Sequence, residues 1–398
     1  MRRVAIVSPL RTPVGAFGGA LQPVPVEDLA TTVVKAVVER TGVDPERIGD
    51  VCFAQSYSSS EVPCVGRWIA LNAGLPIGVP GMQIDRRCGS GLTAVAIGAM
   101  EVQTGVADVV LAGGVESMSN VERYANGTRW GEKTGAIILH DRLDRGRERS
   151  QPVWRFGELS GMIETAENLA KQYGITREQA DEFAARSQQR AAAGWESGAF
   201  SDEVVAVEVP QRRGEPLLVD RDEGVRPATT VETLAKLRTV FPDGTVTAGN
   251  AAQQNDAAAA CLVVAEEVLE ELDLEPMAYL LGWAAAGCEP ATMGIGPVPA
   301  VAKLFARTGH TLDQMDVVEI NEAFAAQVLS VLKEWGWHDA DRLNVNGSGI
   351  SLGHPVGATG GRIMATMLHE LRRRRGRFAL ETMCIGGGQG VAALFELA

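Results

Sequence analysis

No apolar run in this 398-residue sequence approaches the roughly 20 residues that a membrane helix needs, so a membrane-spanning role is not expected. Basic charge is in deficit as well: 37 Lys and Arg stand against 50 Asp and Glu, a formal net charge of -13. Such a surface repels nucleic acid and anionic membranes, and neither is expected as a partner. No cysteine pair has the CxxC spacing of a redox or zinc motif; Cys52, Cys64, Cys88, Cys261, Cys288 and Cys384 are scattered. A chain of this length needs no disulfides to hold its core, so reduced thiols in the cytoplasm, and no metal site, are expected. The opening "MRRVAIVSPLRTP" is interrupted by Pro9 and Arg11 before it could form a signal-peptide core and reads as a first strand. The closing "FELA" carries no lipidation or peroxisomal address.

What is present is an ordinary globular composition, 45% hydrophobic and 22% charged. Glycine is in excess at 45 residues, which points to tight turns and close backbone approaches. The length implies two domains, or one duplicated architecture with an insertion. Strand and helix patterns alternate: "VAIVSP", then "VEDLATTVVKAVVERTG" ending at Gly42, "DVCFAQ", "CGSGLTAVAIGAMEVQTG" and "ADVVLAGG". That rhythm predicts an α/β layered fold. Between about 117 and 245 the texture turns polar and irregular, with "LHDRLDRGRERSQ" and "TREQADEFAARSQQRAAAGWESG", and reads as a solvated insertion. The α/β rhythm then returns and ends in "FALETMCIGG" and "GVAALFEL". Cys88 and His354 each precede a glycine-rich turn, a helix, a strand and paired glycines, a weak echo of duplication that would set the two residues at equivalent helix starts.

Four stretches carry candidate chemistry. Cys88 lies in "CGSG" at a helix start, where free amide N–H groups and a partial positive charge favour a thiolate. A buried filler role is equally compatible with a lone cysteine. "NVNGSGISLGHPVGATG" holds His354 on a loop where backbone can approach a ligand closely, although a lone histidine is usually structural. "TMCIGGGQG" takes Cys384 out of an apolar strand into glycines whose amides can face an oxyanion. In "EINEAFAAQ", Asn321 ends a strand at a place where asparagine is often only a helix cap. Two motifs are decoys. "GISLG" lacks the strand-to-helix setting of a serine-hydrolase elbow. "GSGLTA" imitates a dinucleotide loop, but Arg86, Arg87 and Cys88 stand where its apolar strand should end. "RRRR" at Arg372–Arg375 closes a helix, where positive charge suits the helix dipole.

Taken together and in order, "RTPVGAFGGAL", "CGSG", "GGVESMSN", "TAEN", "LAKLRTVF", "GTVTAGNAAQQND", "MGIGPVPA", "NEAFA", "GHPVGATG" and "CIGGGQG" resemble the motifs of the thiolase family, the acetyl-CoA acetyltransferases and 3-ketoacyl-CoA thiolases. The resemblance spans essentially the whole chain. It implies a duplicated five-layer αβαβα fold with an inserted loop domain: residues 1–116 plus 248–271 as one half, 117–247 as the loop domain over the coenzyme A site, and 272–398 as the other half. It implies reversible acyl transfer and Claisen condensation between acyl-CoA and acetyl-CoA, in fatty acid metabolism, by a homotetramer or homodimer that holds no tightly bound cofactor.

Carried over residue by residue, the resemblance makes Cys88 the acylated nucleophile, His354 its base and Cys384 the acid/base at the substrate α-carbon. Asn321 would hold a water, and the amides of Cys88 and Gly386 would hold an oxyanion. Arg226 and Thr233 would meet coenzyme A, with Met162 and Ala252 at pantetheine-contact positions and Met293 and Phe324 in the acyl pocket. The chain departs from short-chain members ahead of "TAEN", where Gly161, Met162, Ile163 and Glu164 replace a common His-Met-Gly. Ala252 stands where many members have serine, and "NGSG" replaces "NGGA". These departures bear on substrate specificity, as does Arg86-Arg87, which is either solvated or suited to anionic acyl chains. A ketosynthase-type condensing enzyme would need a second histidine in a suitable motif, and a non-catalytic acyl-CoA-binding member would not need both cysteines.

Overall fold

The computed structural model describes residues 1–131 and 133–398. The first half runs β1 (Val4–Arg11), α1 (Val26–Thr41), β2 (Ile48–Ala54), α2 (Val65–Asn72), β3 (Met82–Ile84), α3 (Ser90–Thr104) and β4 (Val109–Ser117). A long excursion follows with helices α4 (Arg142–Glu148), α5 (Met162–Tyr173) and α6 (Arg177–Glu196), and the chain returns in β5 (Asn255–Ala265). The second half runs β6 (Ala278–Gly287), α7 (Pro297–Thr308), β7 (Val317–Ile320), α8 (Ala325–Trp335), α9 (Thr359–Arg374), β8 (Phe378–Ile385) and β9 (Gln389–Leu397).

Sheet topology repeats. In the first half the order is β3-β2-β4-β5-β1, with β2 parallel to β3 and β4 and the remaining pairs antiparallel. In the second half the order is β7-β8-β9-β6, with β7 parallel to β8, the remaining pairs antiparallel, and a parallel bridge from Val318 to Leu343 in the place of β3. The fold is a duplication. α1 and α2 cover the outer face of one half-sheet and α7 that of the other, while α3 and α9 pack together as the central layer. The two half-sheets are not separate: their last strands, β1 and β6, pair at Ala5–Tyr279 and Ile6–Ala278. That short pairing removes two open edges.

The core follows from this layering. β5 is buried along all of its length, and its run of four alanines fits a strand covered on both faces. α3 and α9 approach so closely that a Cβ on Gly360 would overlap the Leu92 backbone nitrogen, and one on Gly91 would lie 2.9 Å from the Gly357 carbonyl. Glycine at this crossing brings the two helix starts together. α1 stops where the chain reaches Gly42, at φ 65°, as the sequence pattern predicts. α6 starts with a reciprocal capping box between Thr176 and Gln179. The excursion is tied to β1 through Arg11, which is fully buried and pairs with Glu203 (2.6 Å) and Asp222 (2.8 Å). Among the described residues no helix is long and apolar enough to cross a membrane.

Candidate active site

A cleft of about 710 Å³ opens where the starts of α3 and α9, the β8–β9 turn and the excursion meet. Cys88, His354, Cys384, Gly386, Met162, Ala252, Met293 and Phe324 all line it. Asn321 is buried directly behind His354. Arg226 and Thr233 do not line it: both are exposed, and the Thr233 hydroxyl and amide are engaged with Thr230 in a local cap. Arg87 lines the cleft, whereas Arg86 does not.

Cys88 sits in a 3-10 turn, Arg87–Gly89, immediately before α3. Arg87 takes φ 48°, a conformation few side chains adopt. It is held there by Ser56, whose hydroxyl donates to the Arg87 carbonyl (2.9 Å), and by Asp85, which accepts from the Arg87 amide (2.7 Å). Gly386 lines the cleft with Cys88, and its amide lowers the Cys88 pKa. The helix start was expected to favour a thiolate, and here the structure corrects the sequence reading. Burial is the dominant influence and raises the thiol pKa; it outweighs the Gly386 and Cys88 amides and the charges of Arg87 and Arg147. At rest Cys88 is a thiol that needs a base.

His354 lies five residues before α9, on a loop rather than at the helix start that the echo with Cys88 predicts. Its amide donates to Asn255 Oδ1 (2.8 Å), and Asn255 Nδ2 in turn donates to the Gly15 carbonyl (2.9 Å). Its Nδ1 is 2.6 Å from Thr359 Oγ1, and that hydroxyl donates to the Pro355 carbonyl (3.0 Å). A hydroxyl has one proton to give. Thr359 therefore accepts from Nδ1–H, which leaves Nε2 unprotonated. Burial, with Arg362 and Arg147 adding to it, pushes the imidazole down to about 3. It is neutral near pH 7 and able to take a proton.

The floor is apolar. Cys384 packs with Met293, Phe324, Ala323 and the partly buried Met162. Burial and the neighbouring Cys88 and Cys288 hold the Cys384 thiol well above its usual range. Beyond it the chain turns through Gly387 and Gly388, at φ 90° and 86°, a pair of angles that favours glycine. Asn321 Nδ2 stands 3.4 Å from both ring nitrogens of His354, and Asn321 Oδ1 is buried with no protein partner among the described residues.

Sequence reasoning passed over two residues that join these parts. Thr359 lies inside "GHPVGATG", and its spacing from His354 offered a signal only once the loop's path was known. Glu116, in "GGVESMSN", is fully buried and accepts from the amides of Ser56 (3.1 Å), Tyr57 (3.2 Å) and Gly357 (2.9 Å). It clamps the loop beside Cys88 to the loop beside His354. Burial pushes its carboxyl up to about 7.

Comparison with known proteins agrees along the whole chain. A family model described as "Thiolase, N-terminal domain" matches residues 4–267, and one described as "Thiolase, C-terminal domain" matches 274–397. An acetyl-CoA acetyltransferase of Chromobacterium violaceum is 46% identical over 395 residues, 99% of each chain. One of Pseudomonas aeruginosa is 46% identical, over 98% of each chain. Among solved structures, the acetyl-CoA acetyltransferase of Bacillus anthracis superposes with a TM-score of 0.96 at 41% identity, covering 100% of this chain and 99% of its own. Human mitochondrial 3-ketoacyl-CoA thiolase in complex with CoA superposes with a TM-score of 0.93 at 40% identity, covering 100% and 98%.

Proposed function

The chain belongs to the thiolase family and is an acyltransferase of reversible Claisen condensation and thiolysis; we propose that Cys88, His354 and Cys384 carry out that reaction. The observation that carries the assignment is the convergence of all three in one cleft, which Gly386 also lines. Coenzyme A thioesters are the substrates, and no tightly bound cofactor takes part.

In the first half-reaction the Cys88 sulfur attacks the thioester carbonyl while His354 Nε2 accepts its proton. The carbonyl oxygen gains charge and is held by the Cys88 and Gly386 amides. Coenzyme A leaves as its thiol, taking the proton back from His354. The exchange of one thioester for another is nearly isoenergetic, which suits a reversible enzyme. In the second half-reaction Cys384 passes its own proton to the bare Nε2 of His354 and, as the thiolate, removes the α-proton of an acetyl thioester. The enolate oxygen is met by the Nε2–H that His354 has gained from Cys384 and by a water on Asn321, the latter role supported by the unpartnered Asn321 Oδ1. The enolate carbon then attacks the acyl carbon held on Cys88, the carbon–sulfur bond breaks, and the Cys88 thiolate takes the proton from His354 Nε2, which returns the enzyme to its resting state.

Met293, Phe324 and Met162 would line the acyl end, and Ala252 the pantetheine path. Arg226 and Thr233, on the surface outside, would meet the adenine end, where a guanidinium stacks well on a purine. The loop domain would span 117–247, between halves at 1–116 plus 248–271 and 272–398. A homodimer or homotetramer in the cytoplasm is proposed, the six unpaired cysteines being consistent with a reducing compartment. A ketosynthase-like reading is disfavoured because, among the described residues, His354 is the only histidine lining the cleft.

Incubation with acetyl-CoA followed by peptide mapping tests the assignment. The acetyl group is expected on the Cys88 peptide, and Cys88→Ala should lower turnover by on the order of 10^4- to 10^6-fold. An acetyl group on any other residue would overturn it.

A further inference from the structure

One wall of the cleft carries positive charge that the chemistry above does not use. Arg87, Arg142 and Arg147 all line the cleft beside Cys88. Arg142 is neutralised by Glu122 (3.0 Å) and also donates to the Ser58 carbonyl. The other two are not. Arg87 donates to the Gly146 carbonyl (3.0 Å), and among the described residues it has no carboxylate at ion-pair distance. Arg147 has one long contact, 3.3 Å, to Asp144, whose side chain is 70% exposed. Its other neighbour is the neutral Gln254 side-chain amide, whose oxygen comes within 3.2 Å of Arg147 when the amide is turned over. Asp85, Asp144 and Glu148 also line the cleft, but all three are exposed, where water screens them. Asp85 is further turned back onto the Arg87 amide.

The positive charge reaches the reacting groups. Arg147 acts on Cys88, His354 and Tyr57, and Arg87 on Cys88 and Tyr57. The wall is built into the fold: the Arg87–Gly146 bond joins the nucleophile turn to α4, and Gly146 packs against the Tyr57 ring. The rest of the acyl floor, Met162, Met293, Phe324 and Ala323, offers an acyl chain only apolar contact.

We infer that the preferred acyl group ends in a carboxylate, which pairs with Arg147 and lies in the field of Arg87, while the chain between it and the thioester rests on the apolar floor. A guanidinium binds a carboxylate in a two-pronged, charge-assisted geometry that a methyl end cannot use. The carboxylate makes and breaks no bond. In thiolysis the coenzyme A thiol still adds at the acyl carbon, acetyl-CoA still leaves, and the product is the ω-carboxyacyl-CoA. The inference rests on the thiolase reading of the same cleft.

The test is thiolysis of two 3-ketoacyl-CoAs of equal chain length, one ending in methyl and one in carboxylate, by the wild type, Arg147→Gln and Arg147→Lys. For the wild type, kcat/KM is expected to favour the carboxylate by about 10- to 100-fold, the span of one charged hydrogen-bonded contact, and to lose that preference as salt rises. Arg147→Gln should collapse the ratio chiefly through KM, and Arg147→Lys should restore part of it. A wild type that favours the methyl end would overturn the inference even if both variants misfold. So would an Arg147→Gln variant that keeps the ratio. An acyl group on Cys88 with the methyl-ended substrate keeps the thiolase reading intact in either case, whereas no thiolysis of either substrate and no acyl-Cys88 would sink that reading itself.

Discussion

The starts of α3 and α9 occupy equivalent places in the duplicated fold, yet they are built to opposite ends. Before α3 the chain passes from Ile84 to Ser90 in a short turn, and Cys88 is left half-buried, facing the cleft. Before α9 it travels from Leu343 to Thr359 through glycines, and His354 is buried with its backbone and ring both anchored. The short turn presents a nucleophile but does not ionise it, because burial outweighs the helix start. The long loop holds the proposed base, neutral and in one tautomer. Duplication supplied two matched frames, and loop length decided which chemistry each could hold.

That division of labour can be broken from either side. The largest effect expected beyond the nucleophile itself comes from Cys384, on the β8 strand that serves both helix starts. Cys384→Ala should still take an acetyl group on Cys88 but lose exchange of acetyl α-protons by about 10^2- to 10^4-fold. Solvent-deuterium incorporation into acetyl-CoA measures this, and normal exchange would remove Cys384 from the second half-reaction.

The α9 side is tested next. Thr359→Val keeps the shape but removes the acceptor for Nδ1–H, so acylation of Cys88 should slow by about 10- to 100-fold, as loss of an orienting partner does. Thr359→Ser should restore most of it. In Glu116→Gln, which removes the carboxyl that titrates at about 7, the rate of acylation should stay flat from pH 8 down to about 5. His354 is pushed down to about 3, so the base form persists well below the ordinary histidine range near 6.5. An acid limb near 6.5 would mean that the ring is not held as described.

The smallest effect belongs to the crossing of the two helices. Gly360→Ala puts a methyl into the Leu92 backbone and should lower stability by about 1–3 kcal/mol. Gly91→Ala, with a nearest contact of 2.9 Å, should cost less in the same melting experiment. Equal costs would mean that the helix starts are not packed as tightly as the structure has them.

Much of the site was legible along the chain because it is carried by short motifs. "CGSG", "GHPVGATG" and "CIGGGQG" each combine a reactive side chain with glycines that let backbone approach, and all three meet in the cleft. The strand and helix rhythm was legible for a similar reason: α1 and α3 end at glycines that adopt positive φ, a local constraint visible in sequence. The Cys88 ionisation was misjudged because it is set by burial among distant segments, which outweighs both the helix start and a Gly386 amide almost 300 residues away. The Arg86-Arg87 pair could not be divided by sequence either. Arg87 enters the cleft only because its positive φ and the Gly146 carbonyl turn it there.

By itself, then, the sequence determined the family, the alternation that makes an α/β duplication, and which cysteines and histidine gather in the cleft, since these depend on local periodicity and on short runs. Tertiary structure alone decided the protonation of Cys88, the bare Nε2 of His354, the clamp at Glu116 and the weakly compensated charge of Arg147. Each of those depends on burial and on partners brought from distant segments, and neither is a property of any stretch of chain taken alone.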